Sequence, residues 1–102
     1  MAGITTHVLD TARGKPAQGV PITLEILRKE WEVVGRGVTD ADGRLRSLTE
    51  GVALERATYR LTFRTDGFFP EVSVTFRVED PAQHYHVPLL LSPFGYSTYR
   101  GS

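Results

Sequence analysis

The chain has 102 residues, 12 Lys and Arg against 12 Asp and Glu, and no cysteine. That length supports one core, hence a single domain over residues 1–102. Zero net charge leaves no electrostatic footprint for nucleic acid or an anionic membrane and does little to keep copies apart, and the lack of thiols excludes disulfides, thiolate metal sites and cysteine nucleophiles.

Met1 to His7 have neither the basic start nor the apolar run of a secretory leader. No stretch approaches the roughly 18 apolar residues of a membrane helix, so the expected address is the cytoplasm. From there the apolar period is two. Thr6 and Val8 alternate with Thr5, His7 and Leu9. Arg13-Gly14-Lys15-Pro16 then turns the chain into Ile22, Leu24 and Ile26, which alternate with Thr23, Glu25 and Leu27. A strand is expected over 31–38, and the Asp40-Ala41-Asp42-Gly43 turn leads into a short one at Arg44. Thr49 to Arg56 is the one stretch that could hold a short helix. Tyr59, Leu61 and Phe63 alternate with polar residues, then Thr65-Asp66-Gly67 turns, and Val72, Val74, Phe76 and Val78 repeat the pattern. Strands over 86–91 and 96–100 follow, joined by Ser92-Pro93-Phe94-Gly95. Seven or eight short strands with turn residues between them predict an all-β sandwich of antiparallel sheets, each with one face on the core.

The polar residues that sit off the core parity are the candidates for chemistry. His7 lies on the face opposite Thr6 and Val8. His86 shares its face with His84, Pro88 and Leu90, while Tyr85, Val87 and Leu89 point the other way. Arg44 follows a turn that fixes its backbone, and Tyr99 lies near the chain end. Histidine exchanges protons near neutral pH, and arginine carries a permanent charge suited to an anion. Together they could build a metal-free hydrolytic site. The plain alternative is that each is a solvated strand residue. His84 and His86 could instead start a zinc site, although no third ligand stands close in sequence. Gly-x-Ser-x-Gly, phosphate-loop and dinucleotide motifs are absent.

Ile4-Thr5-Thr6-His7-Val8-Leu9-Asp10 with Gly14-Lys15-Pro16-Ala17 resembles the N-terminal signature of the 5-hydroxyisourate hydrolases, the transthyretin-related enzymes of urate degradation. Thr39 to Arg44, Phe68-Phe69-Pro70-Glu71-Val72, His84 to Pro93 and Tyr96 to Ser102 are similar to further family segments. The terminal Tyr99-Arg100-Gly101-Ser102 is the most specific of them, and the chain stops there as the enzymes do. The resemblance implies a transthyretin-like sandwich of two four-stranded antiparallel sheets. It implies a homotetramer, a dimer of dimers around a central channel faced by His7, His86 and Tyr99. The implied substrate is 5-hydroxyisourate, opened to 2-oxo-4-hydroxy-4-carboxy-5-ureidoimidazoline without metal or cofactor. His7, Arg44 and His86 would be catalytic, and Tyr99, Arg100, Gly101 and Ser102 would bind substrate. One departure stands out: the family places a short helix after the strand ending near Arg64, where this chain has only Thr65, Asp66 and Gly67. Three residues cannot make a helix, so a tight connection is expected. The alternative function is a transthyretin-like protein that binds a small aromatic ligand without turning it over. A structural domain of a larger assembly is a third reading, and the start and stop of the chain argue against it.

Overall fold

A computed structural model describes residues 3–101. Nine strands follow one another: β1 Gly3–Asp10, β2 Lys15–Pro16, β3 Pro21–Leu27, β4 Trp31–Val38, β5 Arg44–Leu45, β6 Ala57–Arg64, β7 Glu71–Val78, β8 His84–Ser92 and β9 Gly95–Thr98. One sheet runs β2-β1-β8-β9 with β5 also paired to β1; the other runs β4-β3-β6-β7. The alternation of apolar residues sends one set from each sheet inward. Ile4, Val8, Val87 and Leu89 meet Ile22, Leu24, Leu61 and Phe63 in one buried cluster. Full burial of each such side chain contributes roughly 1.5–3 kcal/mol, so this layer carries most of the folding free energy. The buried Thr6 hydroxyl is satisfied by donating to the Val87 carbonyl at 2.6 Å.

The sandwich and its inward parities are as the alternation predicts, and three details differ. First, β1 and β8 run parallel, with Thr5 beside His86 and His7 beside Pro88. The small β5 makes this sheet five-stranded, where two four-stranded antiparallel sheets were expected. The first and penultimate strands lie far apart in the chain, so no hairpin forces them antiparallel. Second, Thr49 to Arg56 is a turn and an irregular segment, not a helix. Its neighbour Leu48 drops into the core and its backbone crosses β4 so closely that a Cβ at Gly35 would lie 2.0 Å from the Leu48 carbonyl oxygen. Third, the last strand ends at Thr98, ahead of Tyr99 and Arg100, and the pairing reappears as a single bridge between Gly101 and His86.

The connection from β6 to β7 is tight, as its length requires. The amides of Thr65 and Asp66 both donate to the Pro70 carbonyl, at 3.0 and 3.1 Å, and the Thr65 hydroxyl donates to the Phe69 carbonyl. Asp66 takes a left-handed backbone, φ 53°, which a short polar side chain tolerates. No helix occurs among the described residues.

Candidate active site

The outer face of the five-stranded sheet gathers the three histidines and Arg44. The Asp40–Gly43 turn is the local reason that Arg44 arrives there. The Asp40 side-chain oxygen Oδ1 accepts the amides of Asp42 at 2.9 Å and Arg44 at 3.0 Å. The Arg44 amide above all holds the Asp40 carboxyl below its ordinary value, against an opposing effect of desolvation and with a further contribution from the Asp42 amide. Gly43 closes the turn with φ 74°, and a Cβ there would stand 2.5 Å from the Val8 carbonyl oxygen. Glycine is therefore required by both conformation and space. The strand that leaves the turn pairs Arg44 directly with His7.

His7 Nε2 lies 2.8 Å from the Asp42 carbonyl oxygen. A carbonyl only accepts, so this nitrogen carries a hydrogen and donates it. Nδ1 is then the nitrogen left for other work. On β8, His86 Nδ1 lies 2.8 Å from the Thr5 hydroxyl, and His84 Nε2 meets the same hydroxyl at 2.8 Å. Burial first, then the charge of Arg44 and the neighbouring His7 and His84, pushes the His86 imidazole below its ordinary pKa. It is therefore mainly uncharged at neutral pH. Arg44 makes no ion pair among the described residues. An unpaired guanidinium beside an uncharged imidazole can hold an anion while the ring takes a proton.

The structure thus brings His7, Arg44 and His86 together. It adds Gly101, whose amide donates to the His86 carbonyl at 2.8 Å and whose missing side chain leaves room for the ring. A Cβ at Gly101 would lie 2.7 Å from His86 Cδ2. Tyr99 follows the last residue of β9 and is exposed, bordering the cavity that Arg100 also lines. Arg100 turns away from the imidazoles. Its guanidinium stacks 4.4 Å above the Tyr85 ring and donates to Gln83 at 3.0 Å. There it borders an apolar cavity of about 270 Å³ lined by Val74, Phe76 and Val87, across β8 from the imidazoles. Ser102 lies outside the described residues. Thr5 is the residue that sequence reasoning missed. Its parity with His7 was the available signal, but only the register of β1 against β8 sets it between two histidines. Among the described residues no three His, Cys, Asp or Glu side chains converge as a metal site, and both His84 and His86 spend a nitrogen on Thr5.

A sequence model of the HIUase/Transthyretin family matches residues 4–101. The chain belongs to this family. Among the relatives, the 5-hydroxyisourate hydrolase of Salmonella dublin is 44% identical over 109 residues, covering 97% of this chain and 80% of that protein. Since 97% of 102 residues is about 99, the aligned stretch of 109 contains about ten positions at which this chain has no residue. The structure of Klebsiella pneumoniae 5-hydroxyisourate hydrolase superposes with a TM-score of 0.87 at 32% identity over all of both chains. Sea bream transthyretin in complex with thyroxine superposes equally well, TM-score 0.87 at 30% identity, over 96% of this chain and 93% of that one. The fold is therefore common to a hydrolase and a hormone binder, and the side chains on the outer face must separate the two.

Proposed function

We infer that this chain is a 5-hydroxyisourate hydrolase of urate degradation, opening the substrate to 2-oxo-4-hydroxy-4-carboxy-5-ureidoimidazoline. The observation that carries the reading is the unpaired Arg44 beside His7 and the uncharged His86 on one outer face. A passive apolar channel has no use for that set, which weighs against simple binding of an aromatic ligand.

The chemistry follows from what each group can do. Water attacks a ring carbonyl carbon; its oxygen forms the new bond to carbon, and the adjacent C–N bond breaks. His86 fits the base, because burial and the nearby cation keep it uncharged and able to take the water's proton. His7, anchored through Nε2 on the Asp42 carbonyl, enters the step with Nδ1 also protonated, gives that proton to the leaving nitrogen and ends as a neutral ring. Arg44 stabilises the negative charge that develops on oxygen. Of the terminal residues, Tyr99, Gly101 and Ser102 supply the substrate-binding segment, with Gly101 packed against His86, while Arg100, stacked on Tyr85, fixes the course of the chain end. No metal or cofactor is needed for these steps.

The outer face is open in a single copy, with His7, His86 and Leu90 all partly accessible. We propose a homotetramer in which this face of one copy meets that of another, closing a water-poor site. The deciding experiment follows the absorbance of 5-hydroxyisourate freshly made from urate. The folded protein accelerates its loss over the buffer blank, chelators leave the rate unchanged, and light scattering reports four chains. A folded protein with no acceleration over the blank moves the assignment to the binding reading.

A further inference from the structure

One hydroxyl, Thr5 Oγ1, meets two imidazole nitrogens, His86 Nδ1 and His84 Nε2, each at 2.8 Å. A hydroxyl has a single hydrogen. It can donate to one of the two rings only, and the other ring must donate to it. Two arrangements satisfy all three groups. In the first, His86 donates from Nδ1 to Thr5, and Thr5 donates to His84. In the second, His84 donates from Nε2 to Thr5, and Thr5 donates to His86. The first leaves His86 Nε2 with a free lone pair, the state of a base. The second leaves His86 Nε2 protonated, the state of an acid. We propose that Thr5 is a positioning residue for the reaction, setting which nitrogen of His86 carries hydrogen and joining that ring to His84 as a proton path; this rests on the hydrolase reading above.

The proton count closes. His86 Nε2 takes a proton from water, while the Nδ1 hydrogen passes to Thr5 Oγ1 and the Thr5 hydrogen passes to His84 Nε2. His86 ends uncharged, Thr5 ends as a hydroxyl, and His84 holds the extra proton. His84 is exposed and can release it to solvent, whereas His86 is partly buried. Run backwards, the same path returns His86 to its starting tautomer: a proton taken up by His84 passes through Thr5 to His86 Nδ1 as Nε2 gives its hydrogen to solvent, while His7 serves the leaving nitrogen. The relay spares the site a lasting imidazolium next to Arg44, where a second positive charge is costly. The titratable and charged groups facing His86 are His7 on β1, Arg44 on β5 and His84 on β8 itself, while Gly101 contributes backbone only. Nothing else among the described residues bonds His86 Nδ1.

Thr5→Val keeps the branched shape on a strand and removes only the hydroxyl, and Thr5→Ser restores it. In Thr5→Val, kcat falls about 10- to 100-fold, the range found when the partner that orients a working imidazole is lost, with KM held within about twofold. The acid limb of the pH profile moves, and Thr5→Ser returns kcat to within about threefold of the wild type. Long-range proton–nitrogen spectra of the imidazoles give a readout that needs no substrate. Wild-type His86 and His84 show one nitrogen of each pair locked on Thr5, and Thr5→Val releases both into mixed tautomers. Wild-type turnover and unchanged nitrogen spectra in folded Thr5→Val overturn the proposal, as does a Thr5→Ser variant no better than Thr5→Val. If the wild type itself does not hydrolyse 5-hydroxyisourate, the function fails, and the nitrogen spectra still decide whether Thr5 sets the His86 tautomer.

Discussion

The two outer faces of this sandwich are built on the same core and behave differently. On the four-stranded sheet, Arg60 on β6 bonds the Glu25 carboxylate on β3 at 2.9 Å and lies 4.1 Å above the Trp31 ring. Thr62 and Ser73 face each other beside it. Arg36 and Arg64 on this face form no ion pair among the described residues, but both are exposed and neither stands beside an imidazole, whereas the inner cation, Arg60, is paired. On the five-stranded sheet, Arg44 has no carboxylate partner and the imidazoles spend their bonds on a threonine and a carbonyl. The lesson is one of charge balance. A cation that the fold leaves unpaired, next to a ring kept uncharged by burial, is available to a substrate, whereas a paired cation is used up by the protein.

The comparison is tested hardest by removing the unpaired cation. Arg44→Ala should lower kcat/KM by about 10²- to 10³-fold, the scale of a lost charge-stabilising donor, with little change in Tm. His86→Ala and His7→Ala should each lower turnover by about 10²-fold or more, because both lie off the core parity and serve proton transfer. Full activity in any of these folded variants would break the contrast between the two faces. Gly101→Ala tests the packing of the chain end on His86. A Cβ within 2.7 Å of the ring must displace it, and a shift of that kind costs up to about 10²-fold in turnover with the fold intact.

A subtler test is pH. The folded His86 pKa lies below that of the unfolded chain, so the unfolded state binds the proton first as pH falls. Stability contributed by uncharged His86 is therefore complete above about pH 6.5 and declines below it, towards the lower folded value. The acid limb of kcat/KM should likewise lie below about pH 6.5. An acid limb above that value, unmoved in a His86→Gln variant with residual activity, would assign it to another group. The smallest effect belongs to the other sheet. Arg60→Ala should leave turnover unchanged and cost about 1 kcal/mol of stability, read as a small drop in Tm, because it removes a half-exposed ion pair and a stacking contact.

Much of this is legible in the residues alone. Alternation at Ile22, Leu24 and Ile26, or at Tyr59, Leu61 and Phe63, states which side chains turn inward, because a strand has only two faces. The same parity sets His7 and His86 outside the core, and Asp40 to Gly43 announces the turn that delivers Arg44. The short Thr65–Gly67 connection is equally plain, since chain length leaves no room for a helix.

Parity says which face a residue takes but not which residue it faces across a strand pair. That β1 runs parallel to β8, and in the register that sets Thr5 beside His86, depends on contacts about 80 residues apart that no local pattern encodes. The end of the chain shows the same limit. Tyr99, Arg100 and Gly101 read as one motif, yet past the end of β9 the chain sends Arg100 onto Tyr85 and bridges Gly101 to His86. Leu48 enters the core from an irregular segment for a similar reason: the gap over Gly35 that admits it exists only once β4 is in place. Local chemistry therefore determined the strands, the turns and the list of reactive groups. Tertiary packing decided their partners, because long-range register is chosen by how the whole core fills, not by any short stretch of chain.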